Sequence, residues 1–521
     1  MEAAERYPEK QAIVELYKSS TYREIAAGAE KIAAWLFSES IAPGDRVGIL
    51  MDDPAEYVSA YFGVLMAGAV VVALITQTTS RTLKQIINDA DITILVTQVK
   101  FIRYLTNIGD SMPSLRTIFI QGPASPHPMP RSINRSIKVI DSSQMNPCGH
   151  AQNNKIPAFS AGCDADLAQI IYTSGTSGKP KGVMLQHANL MANTESIIQY
   201  LLLTSNERHM VVLPFFYAFG NSVMLTHVAA GATMIVHQSM MYPKLVLDLM
   251  QREDATALSG VPSTFAVLLS TRIVKKYTFP CLRYFAQAGG PLSPKLAREI
   301  KFTFPEVDLY VMYGQTEASA RLSFLHPDEF YRKPGSIGKA IPGVALKLIN
   351  REGRPVKAEE IGEIVACGRN IMQGYWKDPA ATAKVLRKEG LWTGDLAKMD
   401  EEGFFYIVSR KSEMIKSGGH RIVPKEVEEI ILEHPAVEDA VVFGVADEIL
   451  GEVIVACIIK KTDCSCNKEM LLLHCKQNLP GFKMPKHICF VEKFPLTSNG
   501  KIEKISLKSS IMALLKKQAA R

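Results

Sequence analysis

The sequence predicts an α/β protein: a large N-terminal domain of two parallel-type α/β subdomains plus a small β-rich subdomain, followed by a small α+β C-terminal domain. Three observations carry this. Short apolar runs of strand type alternate with segments of helical spacing over most of the chain. The texture changes near Gly335 to short β-like runs punctuated by Gly and Pro, and becomes mixed again beyond Ser409. Length and composition permit several cores, with 521 residues of which 47% are hydrophobic and 21% charged.

The elements follow in order. The N-terminal text MEAAERYPEKQAIV is charged and holds no apolar stretch of signal type, so a secretory leader is not expected. YREIAAGAEKIAAWLFSES has helical spacing, DRVGILM reads as a buried strand and PAEYVSAYFGVLMAG as a helix. AVVVALI and ITILVT are further strands. The run YFGVLMAGAVVVALI is too short for a spanning helix and divides into buried helix and buried strand. QGPASPHPMPRSINRS, rich in Pro and Ser, reads as a surface loop. LAQIIY and GVMLQ are strands around a Gly-rich loop, with a helix after them. HMVVLPF, GATMIVH, YFAQAG and LYVMYG repeat the buried-strand type, each ending at Gly or polar residues. Ligands in parallel sheets bind beyond the carboxyl ends of strands, so the loops after these runs are where chemistry belongs.

GSIGKAIPGVALKLINREGRPVKAEEIGEIVACG supplies the β-rich subdomain, PKEVEEIILEHP a helix and VEDAVVFGVAD a strand. The main boundary falls near Ser409 to Ser412, giving residues 1–410 and 411–521. The tail KISLKSSIMALLKKQAAR is basic with apolar spacing. It reads as a solvated terminal helix, because one short basic face binds a membrane weakly.

The formal net charge of +7 suits an anionic substrate or cofactor, and the absence of a long Lys/Arg block points away from nucleic acid. Nine scattered cysteines without framework spacing suit a reduced, cytoplasmic setting. The cluster Cys464, Cys466, His474, Cys475 lacks the spacing of a metal site and reads as a polar turn before a helix.

Four stretches carry chemistry. YTSGTSGKPKG, Tyr172 to Gly182, holds four Ser/Thr hydroxyls, three glycines and two lysines. Glycine permits backbone N–H groups to converge on one anion. The spacing excludes a P-loop, which needs G-x-x-x-x-G-K-[ST]. On residues alone a phosphate loop and a flexible linker stay equally open. MYGQTEASA puts Tyr313, Thr316 and Glu317 on one turn: a ring able to stack on a base, a hydroxyl for phosphate and a carboxylate for Mg²⁺. In LWTGDLAKMDEEGFFYIVSRKSEMIK, Asp395 follows a Gly turn and can accept from ribose hydroxyls, with Arg410 adding donors; a surface ion pair is the bland alternative. In FPLTSNGKIEK, Lys501 follows an Asn-Gly turn and by itself is a solvated lysine.

In this order, YTSGTSGKPKG, YGQTE, GEIVACGRNIMQGYW, WTGD, SRKSEMIKSGGHRI and PLTSNGK match successive motifs, and the chain resembles the adenylate-forming superfamily of acyl-CoA synthetases, firefly luciferase and peptide-synthetase adenylation domains. The resemblance implies activation of a carboxylic acid, a fatty acid among the candidates, by ATP and Mg²⁺ to an acyl-adenylate. It implies transfer to the thiol of coenzyme A or, as the alternative, of a carrier protein's phosphopantetheine. By resemblance, Thr173, Ser174, Gly175, Thr176, Ser177, Gly178 and Lys179 hold the β,γ-phosphates. Tyr313 stacks on adenine, Thr316 touches the α-phosphate, Glu317 binds Mg²⁺, Asp395 and Arg410 take the ribose, and Lys501 is the catalytic lysine.

In the family the small C-terminal domain is mobile and rotates between half-reactions, bringing Gly418 and Gly419 to the pantetheine tunnel. The hinge position, usually Asp or Lys, is Ser412 here, and Ser409 replaces a usual Gly. The acyl pocket is implied at Phe216, Tyr217, Gly260, Gly289, Gly290 and Gln315; Tyr217 stands where many relatives have His. Arg321, just after the turn, meets either a second carboxylate or a nearby acid of the protein, and the acid pair is the expected outcome. No side chain near these motifs offers the acidic partner of an amino-acid ammonium, which favours a simple carboxylic acid.

Overall fold

A computed structural model describes residues 2–106, 112–121, 132–133, 137–142, 164–174, 180–270, 272–411, 413–417, 420–447, 450–461, 464, 466–496 and 502–519. The chain forms two units: Met1–Leu346 with Ala366–Leu391, and Lys347–Val365 with Trp392–Arg521.

The first unit contains two nine-stranded sheets. In one, six parallel strands run in the order Asp308–Tyr313, Tyr284–Gln287, Ala257–Gly260, Arg208–Val211, Thr233–Val236, Gln11–Val14, with antiparallel strands on both edges. In the other, the parallel strands are Leu167–Ser174, Val70–Ala73, Arg46–Leu50, Ile94–Thr97, Thr117–Ile120 and Ile137–Asp141. Their residues are buried on both faces, as in VVVA at Val70–Ala73, so these strands read as unbroken apolar runs rather than alternating ones. The helix Pro54–Met66 starts at an Asp53 cap with Pro in its first turn and ends at Ala67 before the strand Val70–Ala73. The run read as helix then strand therefore divides as expected. No helix among the described residues is long and apolar enough to cross a membrane.

One polar feature of this unit has a pH signature. His209 and His227 are both 1% exposed, with ring centroids 4.3 Å apart. His227 Nδ1–H donates to the Val223 carbonyl at 2.7 Å, and His209 Nε2 meets Ser259 Oγ at 2.8 Å. Burial holds both imidazoles below their ordinary value, His227 at about 4. The unfolded chain therefore binds more protons than the folded one between about pH 6.5 and about pH 4, so this stability is complete above that window and lost as pH falls through it. Replacing His227 with Gln is expected to flatten the fall in Tm across that window. An unchanged slope would show that other groups set the acid limb.

Short strands at Val344–Ile349, Gly362–Gly368, Leu386–Arg387, Gly390–Met399 and Phe405–Arg410 follow the Gly- and Pro-punctuated text, as predicted. In the second unit a five-stranded sheet is built on the long hairpin Val437–Asp447 and Gly451–Lys460. Strand alternation sends Val442, Ile454, Ala456 and Ile458 to one core and Val441, Phe443, Val455 and Cys457 to another. Helices Pro424–Glu433 and Lys468–Asn478 cover the first core through Val427, Ile431, Leu471 and Cys475. The terminal helix Lys504–Ala519 seals the second through Leu507 and Ile511, 4% and 3% exposed. That corrects the expectation of a solvated tail: two apolar residues four apart suffice when a sheet face awaits them. The helix expected after Cys466 is present, with Asn467 capping it and Cys475 in the core. Among the described residues no three His, Cys, Asp or Glu side chains gather as a metal site.

Candidate active site

In the first unit the strands flanking the Gly-rich stretch pair with each other. Strands Leu167–Ser174 and Pro180–Gln186 pair antiparallel, with Thr173 opposite Lys181 and Ser174 opposite Pro180. Gly175, Thr176, Ser177, Gly178 and Lys179 lie outside the described residues. The strand after them pairs with Gly374–Tyr375, placing Val183 opposite Tyr375. Tyr375 connects two expected site segments. Lys181 Nζ lies 4.9 Å from its ring centroid, and its hydroxyl donates to Glu317 Oε1 at 2.8 Å. Burial and the Glu317 carboxylate push the Tyr375 phenol well up, so it stays protonated and remains a donor.

Glu317 lies in a 3₁₀ turn, Thr316–Ala318, directly beyond the strand Asp308–Tyr313 and Gly314–Gln315. This is the carboxyl end of a parallel strand, where the sequence pattern directed attention. The chain then doubles back tightly. The Ala320 carbonyl oxygen lies 2.0 Å from where a Cβ on Gly314 would stand, so only glycine fits. Ser319 and Ala320 have φ of 54° and 105°, a strained pair for residues with side chains. Asn370 pins it, donating to the carbonyls of Ala318 at 3.1 Å and Arg321 at 2.8 Å, while Ser319 Oγ donates to the Asn370 carbonyl at 2.8 Å.

The segments expected to line an acyl pocket end neighbouring strands. Gly260 closes Ala257–Gly260, and Gly289 and Gly290 follow Tyr284–Gln287. Gly289 has φ of +84°, and a Cβ on Gly290 would only touch Pro262 at 3.4 Å. A Cβ on Gly260 would stand 2.8 Å from Thr264, whose hydroxyl accepts from the Val261 N–H; the missing side chain there makes room for the next helix. Phe216 is 3% exposed in the main core, with the Tyr217 ring 4.7 Å away at the start of helix Ala218–Ala230. Gln315 precedes the turn and its carbonyl accepts from Ala318 and Ala320.

In the second unit Asp395 sits opposite Arg410 in the hairpin of Gly390–Met399 and Phe405–Arg410. Arg410 Nε is 3.0 Å from Asp395 Oδ1; the carboxylate side is 5% exposed and the guanidinium side 54%. The Asp395 N–H donates to Thr393 Oγ1, and the N–H of Gly394 to Glu363 Oε1, which fixes the turn. Replacing Asp395 with Asn is expected to raise the KM for ATP about tenfold to a hundredfold and leave that for the acid nearly unchanged. A loss of Tm with no change in the ATP KM would reduce Asp395 to the structural half of an ion pair. Lys501, Ser412, Gly418 and Gly419 lie outside the described residues.

Tyr375 and Asn370 were not singled out from the sequence. Their signal was inside the quoted stretch GEIVACGRNIMQGYW, but their partners are distant in the chain. Arg321 contradicts the expected acid pair. It is 3% exposed, and among the described residues no carboxylate faces its guanidinium. The residues present suit a Mg²⁺ ion: the Tyr375 hydroxyl engages Oε1 of Glu317, and Oε2 has no hydrogen-bond donor among the described residues. One carboxylate oxygen completed by phosphate and water is how Mg²⁺ is usually held.

Paired strands flanking a Gly-rich segment and a carboxylate just beyond the end of a parallel strand suit a nucleotide-dependent enzyme, and the family comparison gives the class. The chain belongs to the AMP-binding enzyme family, matched over residues 1–376, with the AMP-binding enzyme C-terminal domain over 426–501. It is 31% identical to a long-chain-fatty-acid–CoA ligase of Bacillus subtilis, over 96% of this chain and 92% of that one. It is also 31% identical to the mitochondrial medium-chain acyl-CoA ligase ACSF2 of Mus musculus, over 98% and 87%. Its fold matches ATP-bound MatB from Rhodopseudomonas palustris with a TM-score of 0.84, 28% identity and 98% of both chains covered. It matches o-succinylbenzoate coenzyme A synthetase (MenE) of Bacillus subtilis, in complex with ATP and magnesium, with a TM-score of 0.81, 28% identity and 98% of both chains covered.

Proposed function

We propose that this chain is an AMP-forming acyl-CoA ligase that joins a carboxylic acid to coenzyme A at the expense of ATP. The observation that carries the reading is the Lys181–Tyr375–Glu317 connection, which ties the Gly-rich hairpin to the strand-end carboxylate. A phosphate chain and its metal need both at once.

In the first half-reaction a carboxylate oxygen bonds to the α-phosphorus of ATP, the bond to the bridging oxygen breaks, and pyrophosphate leaves. Both reactants are anionic, so positioned cations and donors set the rate. Thr173, Ser174 and the 175–179 segment would grip the departing phosphates, and Thr316 would donate to the α-phosphate. Lys501 would neutralise the attacking carboxylate and the α-phosphate oxygens together. Glu317 would hold Mg²⁺, which supplies charge neutralisation on the phosphates. Tyr313 would stack on adenine while Asp395 and Arg410 take the ribose. In the second half-reaction the thiol gives up its proton to solvent, its sulfur bonds to the acyl carbon, the bond from that carbon to the phosphate oxygen breaks and AMP leaves; Gly418 and Gly419 would line the pantetheine path. The lid carrying these residues would be 411–521, turning near Ser412.

The setting we propose is cytoplasmic, supported by seven free cysteines among the described residues. The test compares thioester formation with free coenzyme A and with a phosphopantetheinylated carrier protein. Turnover that depends on coenzyme A supports the proposal; turnover only with the carrier protein replaces it by the loading-ligase alternative.

A further inference from the structure

Arg321 is a buried cation lacking the partner that buried cations need. Its guanidinium carbon lies 4.1 Å from the centroid of the Phe219 ring, and Nη1 donates to the Ala320 carbonyl at 3.3 Å. The Tyr200 phenol faces it, and Nε is buried with no hydrogen-bond partner. Among the described residues no Asp or Glu compensates the charge. A ring face, a phenol and one carbonyl do not repay the desolvation of a guanidinium. Uncompensated buried charges of this kind cluster at functional sites.

Its position says what. The Arg321 Cα presses on Gly314, 2.8 Å from the place of a Cβ there, so it lies against the turn between Tyr313 and Gln315. Phe219, under the guanidinium, is two residues beyond Tyr217 in the segment Phe216–Tyr217. Arg321 thus sits between the turn assigned to ATP and one wall assigned to the acid. The backbone around it is fixed by Asn370 and by the strained pair Ser319–Ala320, so the side chain is set in place before any ligand arrives.

We propose that Arg321 sets acid specificity by receiving a second carboxylate of the substrate, so that the preferred acids are dicarboxylic. This rests on the acyl-CoA ligase reading. A guanidinium suits the role because its planar fork takes a carboxylate through two parallel hydrogen bonds.

The test uses wild type, Arg321→Met and Arg321→Lys with succinate, adipate, suberate and sebacate against butanoate, hexanoate, octanoate and decanoate. Binding is read by calorimetric titration, and adenylation by pyrophosphate release with ATP. In wild type at least one diacid should exceed its monoacid counterpart in affinity and in kcat/KM. Arg321→Met should lower that diacid-to-monoacid ratio on the order of a hundredfold, and Arg321→Lys should restore part of it. Without ligand, Arg321→Met should melt above wild type, since it removes an uncompensated buried charge. A purely structural arginine would give a lower Tm and an unchanged ratio, which overturns the proposal. Arg321-dependent diacid binding without adenylation of any acid would sink the ligase reading and leave this one standing. Adenylation with the same ratio in wild type and Arg321→Met would do the reverse.

Discussion

Replacing Lys501 with alanine is expected to slow acyl-adenylate formation about a hundred- to a thousandfold, and to leave thioester formation from supplied acyl-adenylate nearly intact. The physical reason is the charge carried by the reactants. A carboxylate must approach a triphosphate, and negative charge collects on the α-phosphate oxygens as the new bond forms. One ammonium held at that place acts on the transition state more than on the ground state. Sequence places Lys501 directly before Ile502, which bridges antiparallel to Leu496, and the Glu503 N–H donates to the Pro495 carbonyl at 2.8 Å. The backbone on both sides of the Thr-Ser-Asn-Gly-Lys segment is thereby anchored. The two half-reactions are read separately, by pyrophosphate exchange and by thioester yield. Equal loss in both would remove Lys501 from the reaction centre.

The second large effect is expected at Glu317. Exchange for Gln keeps the volume and an oxygen that the Tyr375 hydroxyl can reach, so the fold should survive. It removes the carboxylate charge that would hold Mg²⁺. Adenylation should fall roughly a hundredfold or more, with a higher Mg²⁺ concentration needed for half-maximal rate. Tyr375→Phe should cost less, about tenfold, because it only frees a carboxylate that remains present. If Glu317→Gln leaves the Mg²⁺ dependence unchanged, the metal is held elsewhere.

What the sequence made legible divides along physical lines. Local signals held. The alternation of VVVA-type strands with capped helices such as Pro54–Met66 named the α/β class, and the strand before Gly314 named the loop where Glu317 stands. Features made by distant pairing were missed. Tyr375 meets Glu317 only because Gly374–Tyr375 pairs with Val183 and Met184, and no periodicity encodes that register. Leu507 and Ile511 looked like a weak apolar face until the Val441–Phe443 face of a sheet met them. The sequence favours an acid partner for Arg321 because most arginines are structural or exposed. Its burial follows from the tight return over Gly314, which composition cannot announce. The roles proposed for Asp395 and Lys501 rest on the family resemblance; read singly, the two residues are an ion pair and a solvated lysine.

The most direct measurement of the central claim is acid-dependent exchange of labelled pyrophosphate into ATP, run across a panel of mono- and dicarboxylic acids without coenzyme A. The account predicts exchange with at least one acid, and AMP with a coenzyme A thioester as products once coenzyme A is added. A thioester formed with release of ADP and phosphate, and no exchange with any acid, would contradict it.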